Sequence, residues 1–156
     1  MFASTAGSGS AVAVPYFDAN TNAKNSFIRA MESWRDVTCV NWEVIEPTPS
    51  NTTAQDGTNI VRFGNSGELS AGVLATTFSR YLSCNLSKIW YVSEIDLTYD
   101  PDVTWNFDAS SPKFSEFDIE SVTLHELGHA HQLGHDALEH LAFGFERVEL
   151  FAVALQ

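Results

Sequence analysis

The first strong pattern along the chain is helical. Phe27, Met31 and Trp34 fall at i, i+4 and i+7 and share one face, which predicts a helix over 22–36. The next segment, 39–45, alternates apolar and polar residues and has the composition of a β-strand.

Three further β-type segments follow, separated by polar loops rich in Pro, Gly, Ser, Thr and Asn. In the longest of them the odd-numbered residues from 95 to 99 are apolar and lie on one face, whereas Glu94, Asp96 and Thr98 lie on the other. The predicted strands span 59–63, 73–79 and 88–99, and the loops span 47–57, 64–72 and 100–114.

A second helix should begin near Ser115 or Asp118, because either side chain can cap it, and it should run through the histidines that follow. The order helix, strands, helix predicts a single α+β domain with a mixed sheet. Residues 1–11 are small and weakly apolar and predict a flexible lead-in to a domain over 12–156, which opens on an extended segment at 12–17. The tail beyond residue 135 has helical spacing of its own, carried by Leu138, Leu141, Phe145, Val148, Ala152 and Leu155.

Charge argues against two classes of partner. The 156 residues include 20 acidic and 8 basic side chains, which gives a formal net charge of −12. Because the basic residues are scattered and form no stripe, we expect neither nucleic acid nor an anionic membrane surface as a partner.

No stretch is apolar for long enough to span a bilayer, and no secretory signal is visible. Cys39 and Cys84 leave a disulfide and two reduced thiols as equal alternatives.

All five histidines lie between positions 125 and 140. His125, Glu126 and His129 form an HExxH sequence on the second predicted helix. Residues four apart share a helix face, so both imidazoles can bind one zinc ion. Glu126 lies about 100° round the helix, where a general base is needed. His135, six residues after His129, supplies the third protein ligand that a catalytic zinc requires.

The other polar residues of this region are weaker candidates. His131 points to a different face from His129 and is interpreted as a surface residue or as a support for the ligands. His140 falls in the tail and is interpreted as structural or solvated. Asp136 follows the third histidine and is expected to hydrogen-bond a ligand or to cap a helix.

The segment FDIESVTLHELGH at 117–129, with His135 after it, resembles the active-site helix of the matrixin-like metzincins, zinc endopeptidases with the pattern HExxHxxGxxH. AGVLATTF at 71–78 is similar to the substrate-facing edge strand of that family. IDLTY at 95–99, with Trp105, is similar to the strand and loop before its catalytic helix. The resemblance extends back to about residue 12. It implies a twisted mixed sheet with an active-site helix and a backing helix, and a secreted protein.

By this resemblance His125, His129 and His135 are the zinc ligands and Glu126 is the general base of a zinc-dependent endopeptidase. Zinc lowers the pKa of its water towards ~7 and polarises the scissile carbonyl, and the glutamate takes the proton and delivers it to the leaving amine. A protein or peptide substrate would add as a strand beside 73–79.

Three departures from the family pattern bear on this expectation. Gln132 stands where the family has a glycine, and a left-handed conformation there costs ~1–2 kcal/mol, although Gly134 could take over part of the turn. Thr76 stands where the family has an edge-strand histidine, so neither a structural zinc nor calcium is carried over. Methionine occurs only at positions 1 and 31, so the tail from 136 is atypical and lacks the methionine-containing turn that the family places beneath the metal.

These departures favour an alternative, a catalytically impaired zinc- or peptide-binding module on a metzincin scaffold. A rival ligand is Glu149, 20 residues after His129, which is near the spacing at which thermolysin-like proteases place a glutamate ligand. Its other interpretation is a solvated helical residue. A plain structural domain with fortuitous histidines is the third hypothesis.

Overall fold

The computed structural model describes residues 2–5, 20–48, 52–84, 89–108 and 112–135. Within these ranges the chain is a small α+β fold with two helices and a mixed sheet, as the sequence predicts. Neither of these helices is long and apolar enough to cross a membrane. Several predicted features lie outside the described residues, namely the extended segment at 12–17, the amphipathic tail, Asp136, His140 and Glu149.

The first helix, α1, spans Thr21–Thr38 and confirms the predicted apolar face. Phe27 and Met31 are buried in the core, and Trp34 packs against its edge. The helix begins at an Asn20 cap whose side chain accepts a hydrogen bond from the backbone of Ala23. These contacts commit one face of α1 to the core, where apolar burial stabilises the helix more than propensity does.

Five strands form one sheet in the order β2-β1-β3-β5-β4. Neighbouring strands run parallel except β4, which is antiparallel to β5 and forms one edge. The strands are β1 Phe2–Thr5, β2 Val44–Thr48, β3 Ile60–Phe63, β4 Ala75–Cys84 and β5 Ile89–Tyr99. A separate parallel pair consists of β6 Trp105–Asn106 and β7 Phe117–Asp118.

The predicted strand at 39–45 is largely wrong, because β2 begins only at Val44. Cys39 is an exposed free thiol and ends α1 in the left-handed conformation with φ 60°. Residues 40–43 then connect the end of the helix to the sheet. β2 then continues through Pro47 into the predicted loop. β1 comes from the lead-in, whose composition does not predict a strand. β4 continues to Cys84, beyond the predicted end at residue 79, because it forms a hairpin with β5 whose pairing extends that far.

At the end of β5, over residues 94–99, the polar face is buried as completely as the apolar face. Glu94 and Asp96 are 2% and 1% exposed. Arg80 reaches across from β4, with its Nε 2.9 Å from a Glu94 carboxylate oxygen and its Nη2 3.7 Å from an Asp96 oxygen. The backbone N–H of Gly57 donates to Glu94, and that of Ile60 donates to Asp96 at 3.3 Å. Burial, followed by the neighbouring Glu94 charge, raises the pKa of Asp96 to about 6.

The second helix, α2, spans Ile119–Ala130 and begins at Asp118, one of the two predicted caps. The hydroxyl groups of Tyr99 on β5 and Thr123 on α2 lie 2.6 Å apart in the core. From α1, the Trp34 indole N–H donates to the Leu124 carbonyl at 2.8 Å. The sheet and the first helix thus fix the position of the histidine-bearing helix from two sides.

Candidate metal centre

Three histidines converge at the end of α2. His125 and His129 lie one turn apart on the helix, and His135 lies beyond it, exposed at the surface. One nitrogen of each ring lies within 4.8 Å of the corresponding nitrogen of the other two. The Nε2 atoms of His125 and His129 are 3.1 Å apart. These three side chains are close enough to bind one metal ion, as the spacing predicts.

The turn after α2 delivers the third histidine. The helix ends at Ala130, and Gln132 takes the left-handed conformation with φ 68°. The backbone N–H of Leu133 then reaches back to the Gly128 carbonyl at 3.0 Å, which closes the helix end. Gly134 has no positive φ, so the left-handed residue is Gln132 itself and the glycine does not share that role.

Contacts with the edge strand hold this strained residue. The side-chain amide nitrogen of Gln132 donates to the Ser79 hydroxyl on β4 and to the Ala130 carbonyl, each at 3.1 Å. The Tyr81 hydroxyl, also on β4, donates to the Gln132 amide oxygen. A glycine would form none of these side-chain bonds, so they compensate for the cost of a non-glycine residue in this conformation.

The surroundings of His125 and His129 favour the protonation state in which an imidazole binds a metal. The Leu133 carbonyl lies 2.8 Å from His129 Nδ1, an arrangement that places the proton on Nδ1 and leaves Nε2 bare. Burial, followed by the neighbouring His129 and His135, lowers the pKa of His125 to about 4. A neutral imidazole is the form that binds a metal.

Glu126 lies beside the three rings and is 5% exposed. Its Oε2 accepts a hydrogen bond from the Thr77 hydroxyl on β4 at 2.6 Å, and its backbone carbonyl lies 3.1 Å from the same hydroxyl. Burial raises the pKa of Glu126 to about 7, against the hydrogen bond from Thr77 and the charge of His135, which both lower it. A carboxyl that titrates near neutrality suits proton transfer in both directions.

His131 is not part of the cluster. Its ring stacks on Trp42, with centroids 4.5 Å apart and 23° between the planes, and lies 4.9 Å from the Trp34 ring. Burial against these rings lowers its pKa. His131 therefore joins the turn after α2 to α1 and to the segment before β2.

The donor set fits zinc. Two nitrogens bound tetrahedrally at 2.0–2.1 Å would lie about 3.3 Å apart, close to the 3.1 Å between the two helical Nε2 atoms. Three imidazoles suit zinc, and they also suit copper, iron and nickel, so the three rings could hold any of these ions.

Sequence reasoning missed Thr77, Tyr81 and the Leu133 carbonyl. All three act through contacts formed only when the edge strand or the turn lies against α2. A partial signal exists for Thr77, because Ala75, Thr77 and Ser79 alternate on the strand face that the helix covers.

Comparison with known protein families, with curated proteins and with solved structures finds no match to this chain. The function must therefore be argued from the geometry of the site and from the motif that forms it.

Proposed function

We propose that this chain is a zinc-dependent endopeptidase of the metzincin type. The observation that carries the proposal is a buried glutamate, Glu126, on the same helix as two of three histidines whose ring nitrogens lie within 4.8 Å of one another. The HExxH motif and its resemblance to the matrixin-like active-site helix add the reaction class. An extracellular location belongs to the same proposal and rests on the resemblance alone.

The residues divide the work of peptide hydrolysis. His125, His129 and His135 would hold the zinc ion, which supplies Lewis acidity towards a water molecule and the scissile carbonyl. Glu126 accepts the proton of the attacking water and then delivers it to the leaving amine.

The edge strand offers the surface for a protein or peptide substrate. β4 pairs with β5 on one side and forms the end of the described sheet on the other. It also lies against α2, through the bond between Thr77 and Glu126. An extended peptide that pairs with this free edge would run past the base, held by main-chain hydrogen bonds.

A metal assay combined with cleavage of an unstructured protein tests the proposal. We expect about one zinc per chain and cleavage that Glu126→Ala abolishes without loss of the metal. Glu116→Ala is the matched control, since Glu116 lies in the loop before α2 and pairs there with Lys113. A wild-type chain that binds no zinc would overturn the proposal. A chain that binds zinc but cleaves no faster than Glu126→Ala would remove its catalytic part.

The alternative is a catalytically impaired zinc- or peptide-binding module on a metzincin scaffold. Two features of the sequence favour it. Residues 136–156 contain no methionine for the turn that the family places beneath the metal, and Gln132 stands where the family pattern has a glycine. Both hypotheses predict bound zinc. Cleavage within a broad peptide library, abolished by a zinc chelator, would eliminate the impaired module.

A further inference from the structure

We infer that Thr77 is a positioning residue that holds the carboxylate of Glu126 in place, an inference that rests on the proposed function. The two side chains come from different elements, β4 and α2, separated by 49 positions in the chain. Their contact is therefore a product of the tertiary fold.

The backbone of Thr77 is firmly held. It pairs with Leu97 inside the β4–β5 ladder, with paired residues on both sides, and Leu97 is completely buried. The hydroxyl therefore projects from a fixed point of the sheet towards α2. A threonine hydroxyl on a strand has restricted rotation at χ1, so little further freedom is lost when it forms this bond.

The hydrogen bond occupies one of the two carboxylate oxygens. Thr77 Oγ1 lies 2.6 Å from Glu126 Oε2, the distance expected for a hydroxyl donating to a charged oxygen. Fixing Oε2 fixes the rotation of the carboxylate and leaves Oε1 to exchange the proton. A base misplaced by a fraction of an ångström loses rate while substrate binding persists.

The edge strand thus has two roles. Its free edge is the proposed site of peptide addition, and its inner face holds the base through Thr77. One rigid element then sets both the position of the scissile bond and the position of the carboxylate. The prediction is a loss in kcat with little change in KM when the hydroxyl is removed.

Three substitutions test the inference in the zinc-loaded protein. Thr77→Val removes the hydroxyl at nearly constant volume, and we expect kcat to fall about 10- to 100-fold with KM changed less than about threefold. Thr77→Ser keeps the hydroxyl and should restore most of the rate. Thr104→Val is the matched control, because Thr104 is exposed in the segment before β6, outside the edge strand and the histidine cluster, and it should cleave like wild type.

A second measurement needs no activity. In the metal-free protein, urea unfolding of Thr77→Val, Glu126→Gln and the double variant gives the coupling between the two side chains. We expect the effect of the double variant on the unfolding equilibrium constant to differ by about three- to tenfold from the product of the two single effects. The Thr104→Val and Glu126→Gln pair should be additive.

The outcomes separate the two claims. Wild-type kcat in Thr77→Val together with additive unfolding constants overturns the inference and leaves the proposed protease intact. Absence of zinc-dependent cleavage by the wild-type chain overturns the proposed function, whereas the unfolding cycle still decides whether Thr77 holds the carboxylate. A kcat loss that Thr77→Ser shares to the full would also contradict the inference, because it would trace to packing and not to the hydroxyl.

Discussion

The Tyr81 hydroxyl on the edge strand donates a hydrogen bond to the side-chain amide of Gln132, the one non-glycine residue with positive φ in the described turn after α2. The contact joins the end of the histidine-bearing helix to the strand that lies over it. It explains how a chain without glycine at this position still turns to bring His135 to the other two histidines.

Substitution of Gln132 separates backbone strain from side-chain contacts. Gln132→Ala keeps the left-handed strain and loses the bonds to Tyr81 and Ser79, so it should destabilise the fold by about 1–3 kcal/mol. Gln132→Gly also loses the bonds but relieves the strain, and should be more stable than the alanine variant by about 1 kcal/mol. Urea unfolding measures the stability of both variants. Equal stability of the two would show that Gln132 has no backbone strain to relieve.

Two histidine substitutions distinguish a ligand from a packing residue. His129→Ala should lower zinc affinity at least about 100-fold, because it removes one of three ligands. His131→Ala should keep the zinc and lose about 1–3 kcal/mol of stability, because its ring packs on Trp42 and Trp34. Metal content after dialysis, with thermal unfolding of the same samples, checks both. Equal zinc loss in the two variants would contradict the assignment.

The buried carboxylate of Asp96 should make stability depend on pH. Its pKa in the folded state, about 6, lies above the ordinary value of 3.8, so the folded protein keeps a proton that the unfolded chain releases in this window. Stability therefore falls as pH rises from about 4 to 6, by up to about 3 kcal/mol.

Asp96→Asn supplies the comparison, because the histidines titrate equally in both proteins. Relative to this variant, the wild type should be less stable at pH 7 than at pH 4.5, measured by urea unfolding at each pH. A difference in stability that is the same at both values would show that the carboxyl near Arg80 and Glu94 has no raised pKa.

The sequence predicts those parts of the fold that depend on local pattern. The apolar face of α1, the cap at Asp118 and the HExxH face of α2 each follow from residues close together in the chain. The left-handed Gln132 follows from the resemblance, because it stands where the family pattern has a glycine. The α+β class with a mixed sheet follows from the order of these elements.

The remaining features depend on contacts between distant segments. Glu94 and Asp96 alternate with apolar residues as they would on a solvated strand face, yet Arg80 and two backbone N–H groups from the segment before and at the start of β3 accompany them into the interior. Likewise, no local pattern pairs Thr77 with Glu126, because 49 positions separate them. Periodicity reveals which face a residue occupies but not what covers that face.

The most direct test of the proposed protease is a zinc titration of the metal-free chain, with cleavage of an unstructured peptide as the readout. We expect cleavage to rise with added zinc and to reach its endpoint at about one equivalent per chain. Glu126→Gln should bind the same zinc and cleave at least about 100-fold more slowly. Cleavage that persists without zinc, or that Glu126→Gln retains in full, would contradict the proposed function.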